Sequence, residues 1–331
     1  MADPAIETDT DAIVAMELCG ICGSDLHLYH GQDWGAAPGF CIGHEAVGRI
    51  VELGKAVRDR RLGELVMLPA TPGCGVCVRC RGGKVTACLT SGLRAYGLSD
   101  QLPGSQAEYV RVPVADFNAI PIPEKISPAA AVALTDNLPT AWFGCRRARV
   151  RPGGSVAVVG LGPIGLMTIE CALAIGAGPV VGIDPCAYRR EVARGLGAEA
   201  VEPAHASSFI AERTAQLGVE CVIEAVGSTE AILLSLDIVG TGGAVAVVGV
   251  NLDAAFPFPM GLAMAKSVRF SIGPCPVPHY WPALIPMIQN DRLDPEQFVS
   301  HRFPLAEGAR AYQLCDSRAE GVLKVVMTPH A

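Results

Sequence analysis

Residues 156–165 read VAVVGLGPIG, and the reading of this stretch decides the fold. Four aliphatic residues without a polar break suit a strand buried on both faces, as in a parallel sheet. Gly160, Gly162 and Gly165 follow in G-x-G-x-x-G spacing. That motif is weak alone, but here it leaves a strand and, with Pro163 and Ile164, opens a helix. The first glycine allows a tight turn, the second lets backbone approach a pyrophosphate, and the third lets helix and strand pack closely. The helix N-terminus then faces the phosphate charge. Asp184 stands 19 residues beyond Gly165, in VVGIDP. A carboxylate there accepts both ribose hydroxyls and repels a 2′-phosphate, which favours NAD over NADP. Arg189 and Arg190 follow closely and keep a 2′-phosphate site open as the alternative. A glycine turn without a nucleotide is the plainer reading; strand, helix and acid together weigh against it.

Working outward, strands and helices alternate. SVAVVG, PVVGID, VECVIEAVG and GAVAVVGV read as strands, and PIGLMTIECALAIG, AYRREVARGLG and STEAILLSLDIV as the helices between them. This is a doubly wound pattern, expected over residues 126–274. Residues 1–125 differ. AIVAMEL, AVGRIVELG, ELVMLPA and AEYVRVP are short alternating runs separated by turns, so a β-rich domain is expected there. Residues 275–331 are expected to return the chain to that first domain. The fold class is therefore α/β, and 331 residues are ample for two cores.

The formal net charge is −7 and no long basic run occurs, which argues against nucleic acid or an anionic membrane as partner. The opening MADPAIETDTDAIVAM has neither the positive nor the apolar region of a secretory signal. No apolar run is long and unbroken enough for a membrane span. A cytoplasmic, reducing compartment is the expectation. There, clustered cysteines bind metal or do chemistry.

Four of the thirteen cysteines fall in CGVCVRCRGGKVTAC, residues 74–88. Cys74, Cys77, Cys80 and Cys88 suit a tetrahedral zinc whose shell four thiolates close, leaving no place for substrate. An iron–sulfur cluster, an empty thiol set and a disulfide knot are the alternatives. A second, dispersed set comprises Cys22, Ser24 and His27 in CGICGSDLH, His44 and Glu45 in GHEAVG, and Asp136 in TDNLPTAW. A thiolate, an imidazole and a carboxylate are three zinc ligands that leave one position open, as catalysis requires.

GICGSDLH, GHE, the four-cysteine lobe and GLGPIG, in this order, resemble the zinc-dependent medium-chain alcohol dehydrogenases along nearly the whole chain. The resemblance implies a GroES-like β-rich catalytic domain and a Rossmann domain. It implies two zinc ions per chain, one catalytic on Cys22, His44 and Asp136 and one structural on the four cysteines. The third catalytic ligand is cysteine in liver-type enzymes and aspartate in several bacterial relatives. Glu45 resembles a glutamate that can approach the zinc, Ser24 and His27 a proton relay, and Thr140 the threonine beside the nicotinamide. Asp184 and Arg189 resemble the adenosine-ribose pair, and Lys324 loosely matches a basic residue near the pyrophosphate.

The implied reaction moves a hydride between an alcohol, polyol or sugar and NAD. A formaldehyde dehydrogenase and a non-catalytic nucleotide binder of the same fold are the alternatives, and a zinc-ribbon nucleic-acid module is a more distant one. A homodimer or homotetramer is implied, with GAVAVVGV and SVRFSIG as its edge segments. Trp34, Trp142, Tyr280 and Trp281 are pocket or packing candidates. The cysteines outside both sets are expected to be small core hydrophobes. Family members carry roughly 25 more residues before TDAIVAMELCGICGSD, so near the start either an unpaired sheet edge or another segment covering that edge is expected.

Overall fold

The computed structural model describes residues 3–32, 39–253, 255–319 and 321–330. The chain forms two compact units, Met1–Pro139 with Pro276–Ala331, and Thr140–Cys275.

Along the first unit run β1 (Ala12–Gly20), α1 (Asp25–Tyr29), β2 (Glu45–Leu53), β3 (Leu65–Leu68), α2 (Val78–Arg81), β4 (Tyr109–Val112), α3 (Ala115–Asn118), β5 (Ile120–Pro121) and α4 (Pro128–Leu134). Helix α5 (Asn137–Arg147) leads into the second unit. That unit contains β6 (Val156–Val159), α6 (Pro163–Ile175), β7 (Val180–Ile183), α7 (Ala187–Gly195), β8 (Glu199–Val201), α8 (Ala206–Arg213), β9 (Val219–Glu224), α9 (Thr229–Ile238), β10 (Val239–Val247), α10 (Met260–Ala265) and β11 (Arg269–Ile272). The chain returns to the first unit through α11 (Trp281–Gln289), β12 (Val299–Pro304), α12 (Gly308–Ser317) and β13 (Lys324–Thr328).

The first unit is built around β1. Alternate residues Ala12, Val14 and Met16 enter one apolar core with Ala46, Ile50, Val66, Leu68, Val110 and Val112. β2 pairs along β1 on one side. On the other side β4 takes Ala12–Ala15 and β13 takes Cys19 and Gly20. Of the two alternatives for the start, β1 shows the covered one, with strands on both sides. Helix α4 is fixed at both ends. Ser127 accepts the Ala130 N–H at its start, and Trp281 donates its indole N–H to the Leu134 carbonyl at 2.8 Å. Trp281 is thus a packing residue.

The second unit is a parallel sheet in the order β11-β10-β9-β6-β7-β8. The strand order reverses between β6 and β9, the position where such sheets open a ligand crevice. The expected doubly wound sheet is present. GAVAVVGV is not an edge, because β10 lies between β9 and β11; only SVRFSIG, which contains β11, borders the sheet on that side. The misreading has a simple cause, since buried and edge strands of similar composition look alike in sequence. Among the described residues, no helix is long and apolar enough to cross a membrane.

At the C-terminal end of this sheet Ile183, Val159, Glu224, Val247 and Ile272 stand in register across five strands. Glu224 is the one acid in the row and is fully buried. Its Oε1 accepts the Val226 and Gly227 N–H groups at 2.7 and 2.8 Å. Burial still pushes its carboxyl up from 4.5 to about 7, against those two donors. The folded protein then holds this proton more tightly than the unfolded chain. Stability falls as pH rises from 4.5 to 7, by about 3 kcal/mol from this group. Denaturation at about pH 5 and about pH 8 is expected to show that loss in the wild type and little of it in Glu224→Gln.

Candidate metal centres and nucleotide turn

Cys22, His44, Glu45 and Asp136 converge although their spacing in the chain is wide. One ligand atom from each lies within 4.8 Å of the others. Cys22 follows the end of β1, His44 precedes β2, and Asp136 occupies the short link between α4 and α5. The pairing of Gly20 with Glu45 across β1 and β2 sets the first two side by side. Cys22 Sγ and His44 Nε2 are each 3.5 Å from Asp136 Oδ2, and Ser24 Oγ is 3.2 Å from His44 Nε2.

Sequence reasoning overlooked Asp25, which is 0 % exposed. Its Oδ1 lies 3.1 Å from His44 Nδ1, and its Oδ2 accepts the Cys22 N–H at 2.9 Å. A carboxylate this close to Nδ1 is an ion-pair partner that favours a proton on Nδ1 and leaves Nε2 facing Cys22 and Asp136. Asp25 stands inside GSDLH, where Ser24 and His27 drew the attention; a carboxylate three residues after a candidate ligand was the available signal. Asn137 was missed too. Its amide donates to Glu45 Oε1 at 2.7 Å and Asp136 Oδ2 at 3.3 Å.

Lys324 corrects an expectation. It is not displayed toward a phosphate but buried, ion-paired with Glu45 and donating to the Ile21 carbonyl at 3.0 Å. β13 carries it there by pairing with the end of β1. A Cβ on Gly20 would collide with the Glu45 carboxylate and reach the lysine stem at 3.0 Å, so only glycine leaves room for the pair.

The electrostatics fit a cation. Burial pushes the Cys22 thiol up, and it raises Glu45 against the pull of Lys324. Burial opposes a charged His44, yet Asp25, Cys22 and Asp136 hold it well above its ordinary value. Burial likewise opposes the Asp136 carboxylate, and His44 brings it below its ordinary range. Groups that share protons in so small a buried space are donors whose protons a dication would replace.

The four-cysteine lobe is also formed, with all sulfurs within 4.8 Å of one another. Cys74 and Cys80 sulfurs are 3.9 Å apart, near the roughly 3.8 Å edge of a tetrahedron with Zn–S of about 2.3 Å. Backbone N–H groups of Cys77, Cys80 and Ser91 point at sulfurs of Cys74, Cys77 and Cys88, at 3.4, 3.4 and 3.5 Å. Burial pushes Cys80 up to about 12. In Cys88 donors from Ser91, Cys74 and Thr90 outweigh burial and draw the thiol down to about 5. Among the described residues no cysteine is in a disulfide. Cys19, Cys145, Cys171, Cys221 and Cys275 are buried as expected of small hydrophobes, whereas Cys41, Cys186 and Cys315 are half-buried.

In the second unit β6 ends at Val159, and Gly160 adopts φ +89°. A Cβ on Gly165 would run into the Gly160 carbonyl oxygen, the close helix–strand approach expected of the third glycine. Pro163 and Ile164 open α6. Asp184 is buried and ties the turn to the next strand, accepting the Leu161 N–H at 2.7 Å and the Cys186 N–H at 2.8 Å. Arg190 is engaged by the Asp184 and Pro185 carbonyls and by Glu202, each at 2.8 Å. Arg189 instead lies beside the turn, its Nη1 4.0 Å from where a Gly162 Cβ would be. Thr140 is buried in α5.

His27 is half-buried, with Nδ1 2.8 Å from Gln32 Oε1. Trp142 and Tyr280 are half-buried. Trp34 lies outside the described residues.

Residues 8–124 match the family model described as the alcohol dehydrogenase GroES-like domain, and residues 163–290 that of the zinc-binding dehydrogenases. The chain is 38% identical to a probable zinc-binding alcohol dehydrogenase of Mycobacterium tuberculosis, over 99% of this chain and 84% of the relative. Among solved structures it resembles the alcohol dehydrogenase TADH from Thermus sp. ATN1, with TM-score 0.91 and 38% identity over 99% of this chain and 95% of the other. It also resembles a zinc-binding dehydrogenase from Sinorhizobium meliloti 1021 bound to NADP, with TM-score 0.84 and 29% identity over 99% and 94%.

Replacing Cys22 or His44 with Ala is expected to halve the zinc content while the four-cysteine lobe keeps its ion. Metal analysis of purified protein checks this; zinc content unchanged in both variants would reject the site.

Proposed function

This chain belongs to the zinc-dependent medium-chain alcohol dehydrogenase family, and we propose that it oxidises a primary or secondary alcohol, or a polyol, to the carbonyl compound with NAD as hydride acceptor. The observation that carries this reading is the convergence of Cys22, His44 and Asp136, with Asp25 behind them. These are three ligands of the right chemistry for zinc with room for a fourth.

Bound zinc supplies a Lewis acid that makes the substrate hydroxyl more acidic. The nicotinamide supplies the carbon that takes the hydride. The protein residues do the rest. Cys22, His44 and Asp136 hold the ion, and Asp25 keeps His44 in the liganding tautomer. Lys324 balances Glu45, so the centre does not carry an unmatched second carboxylate. The Ser24 hydroxyl, beside His44, would accept the substrate proton as it releases its own toward His27. His27, held at Nδ1 by Gln32, passes it outward from Nε2. Thr140 orients the nicotinamide.

NAD is preferred because Asp184 is already locked by two backbone N–H groups and keeps acceptor capacity for ribose hydroxyls. A 2′-phosphate would meet that carboxylate. Arg190 is occupied elsewhere and Arg189 is left to the pyrophosphate side of the turn. The four-cysteine site is structural. Cysteines without disulfides suit a reducing compartment. The outer edge of β11, with Ile272, Met260 and Met264 exposed nearby in the chain, is the surface for a second copy.

The test is an NADH-absorbance screen over alcohols and polyols, repeated with NADP. Turnover with NAD well above NADP is expected. Asp184→Ala should weaken NAD by about 1.5–3 kcal/mol, roughly ten- to a hundredfold, and leave NADP nearly unchanged. NAD binding without turnover of any alcohol would favour a nucleotide-binding protein of the same fold instead.

A further inference from the structure

The hydrogen bonds around Asp25 do not stop at the metal ligands. Gln106, in the turn before β4, donates its side-chain amide to Asp25 Oδ2 at 3.2 Å and to the Gly20 carbonyl at 3.1 Å. Its own carbonyl accepts the Tyr312 hydroxyl at 2.7 Å. Its backbone N–H donates to the Ile42 carbonyl at 3.0 Å, and that of Ser105 to Gly43 at 2.9 Å. Gln106 is therefore fixed to the segment that leads into His44. Gly43, with φ +92°, leaves the space its side chain fills. Tyr312, on α12, is 6 % exposed. It reaches α1 a second way, stacking on Tyr29 at 5.4 Å between ring centroids.

We infer that Gln106 and Tyr312 are positioning residues of the catalytic metal centre, holding Asp25 where it orients Cys22 and His44. The inference rests on the zinc reading above and extends it outward. Asp25 alone can swing about its side-chain torsions. The Gln106 amide on Oδ2, its orientation set by the Tyr312 hydroxyl on its carbonyl, restrains that swing. The carboxylate then holds the Cys22 backbone and the His44 ring together before any metal arrives. Through this chain α12, far along the sequence, sets metal affinity without touching a ligand.

The test uses the full-length protein with Gln106→Met, Tyr312→Phe and the double variant. Gln106→Met is expected to weaken catalytic zinc about ten- to a hundredfold in chelator competition, the usual cost of losing an outer partner. Tyr312→Phe should cost less. The double variant should be no worse than Gln106→Met, because the tyrosine acts through the glutamine. With cobalt in place of zinc, the absorption bands of the Cys22 centre should shift while those of the four-cysteine lobe stay. Wild-type affinity in Gln106→Met, additive losses in the double variant, or equal loss from both sites would overturn the inference. A wild-type protein holding zinc only in its four-cysteine lobe would sink the zinc reading itself and this inference with it.

Discussion

A carboxyl group with no access to water needs donors around its oxygens. Asp25 is such a group, and much of the first unit is arranged around it. The Cys22 N–H, the His44 ring and the Gln106 amide meet it from three separate stretches of chain. Each stretch hangs on the sheet: one leaves β1, one enters β2 and one precedes β4. The pairing of β1 with both β2 and β4 is what allows the donors to arrive together. Lys324 follows the same logic for Glu45, delivered by β13 to the same end of β1. The centre is a set of buried charges that cancel in place, with the sheet as the frame that makes cancellation possible.

The two ligand clusters differ in chain economy. The four-cysteine lobe is local: its sulfurs lie within fifteen residues of sequence, and its own backbone N–H groups face them. Phe117 packs against it and Asn118 is bonded to Gly73 at its start. The other centre spans 114 residues from Cys22 to Asp136 and exists only once the sheet has closed. A site assembled this way can leave a face open for substrate, because its rigidity comes from supports behind the ligands rather than from a fourth ligand.

That difference also decides what was legible beforehand. Short-range patterns were readable: the strand before Gly160, the alternation in AIVAMEL, and the cysteine spacing. Each follows from backbone geometry or metal chemistry over a few residues. Asp25 had one local signal, a carboxylate three residues after Cys22, but its value depends on His44, which arrives from the segment before β2. Lys324 lies 303 residues from its Ile21 partner, and no local rule connects them. GAVAVVGV was placed at the border because apolar strands announce burial, not how many neighbours they have. Gln106 and Tyr312 have no sequence signature at all; they became visible only as links between Asp25 and α12.

The four-cysteine lobe carries one more consequence. Residues 65–99 contain Arg79, Arg81, Lys84 and Arg94 and not a single aspartate or glutamate, while the whole chain is at −7. All four cations are exposed. Even with four thiolates on a dication, a net −2, the lobe's four cations leave it positive on an anionic molecule. Handled on charged media, such a molecule is bipolar. Net charge will govern its migration in a field, but a sulfonated resin or a polyanion at low salt will grip it by the lobe.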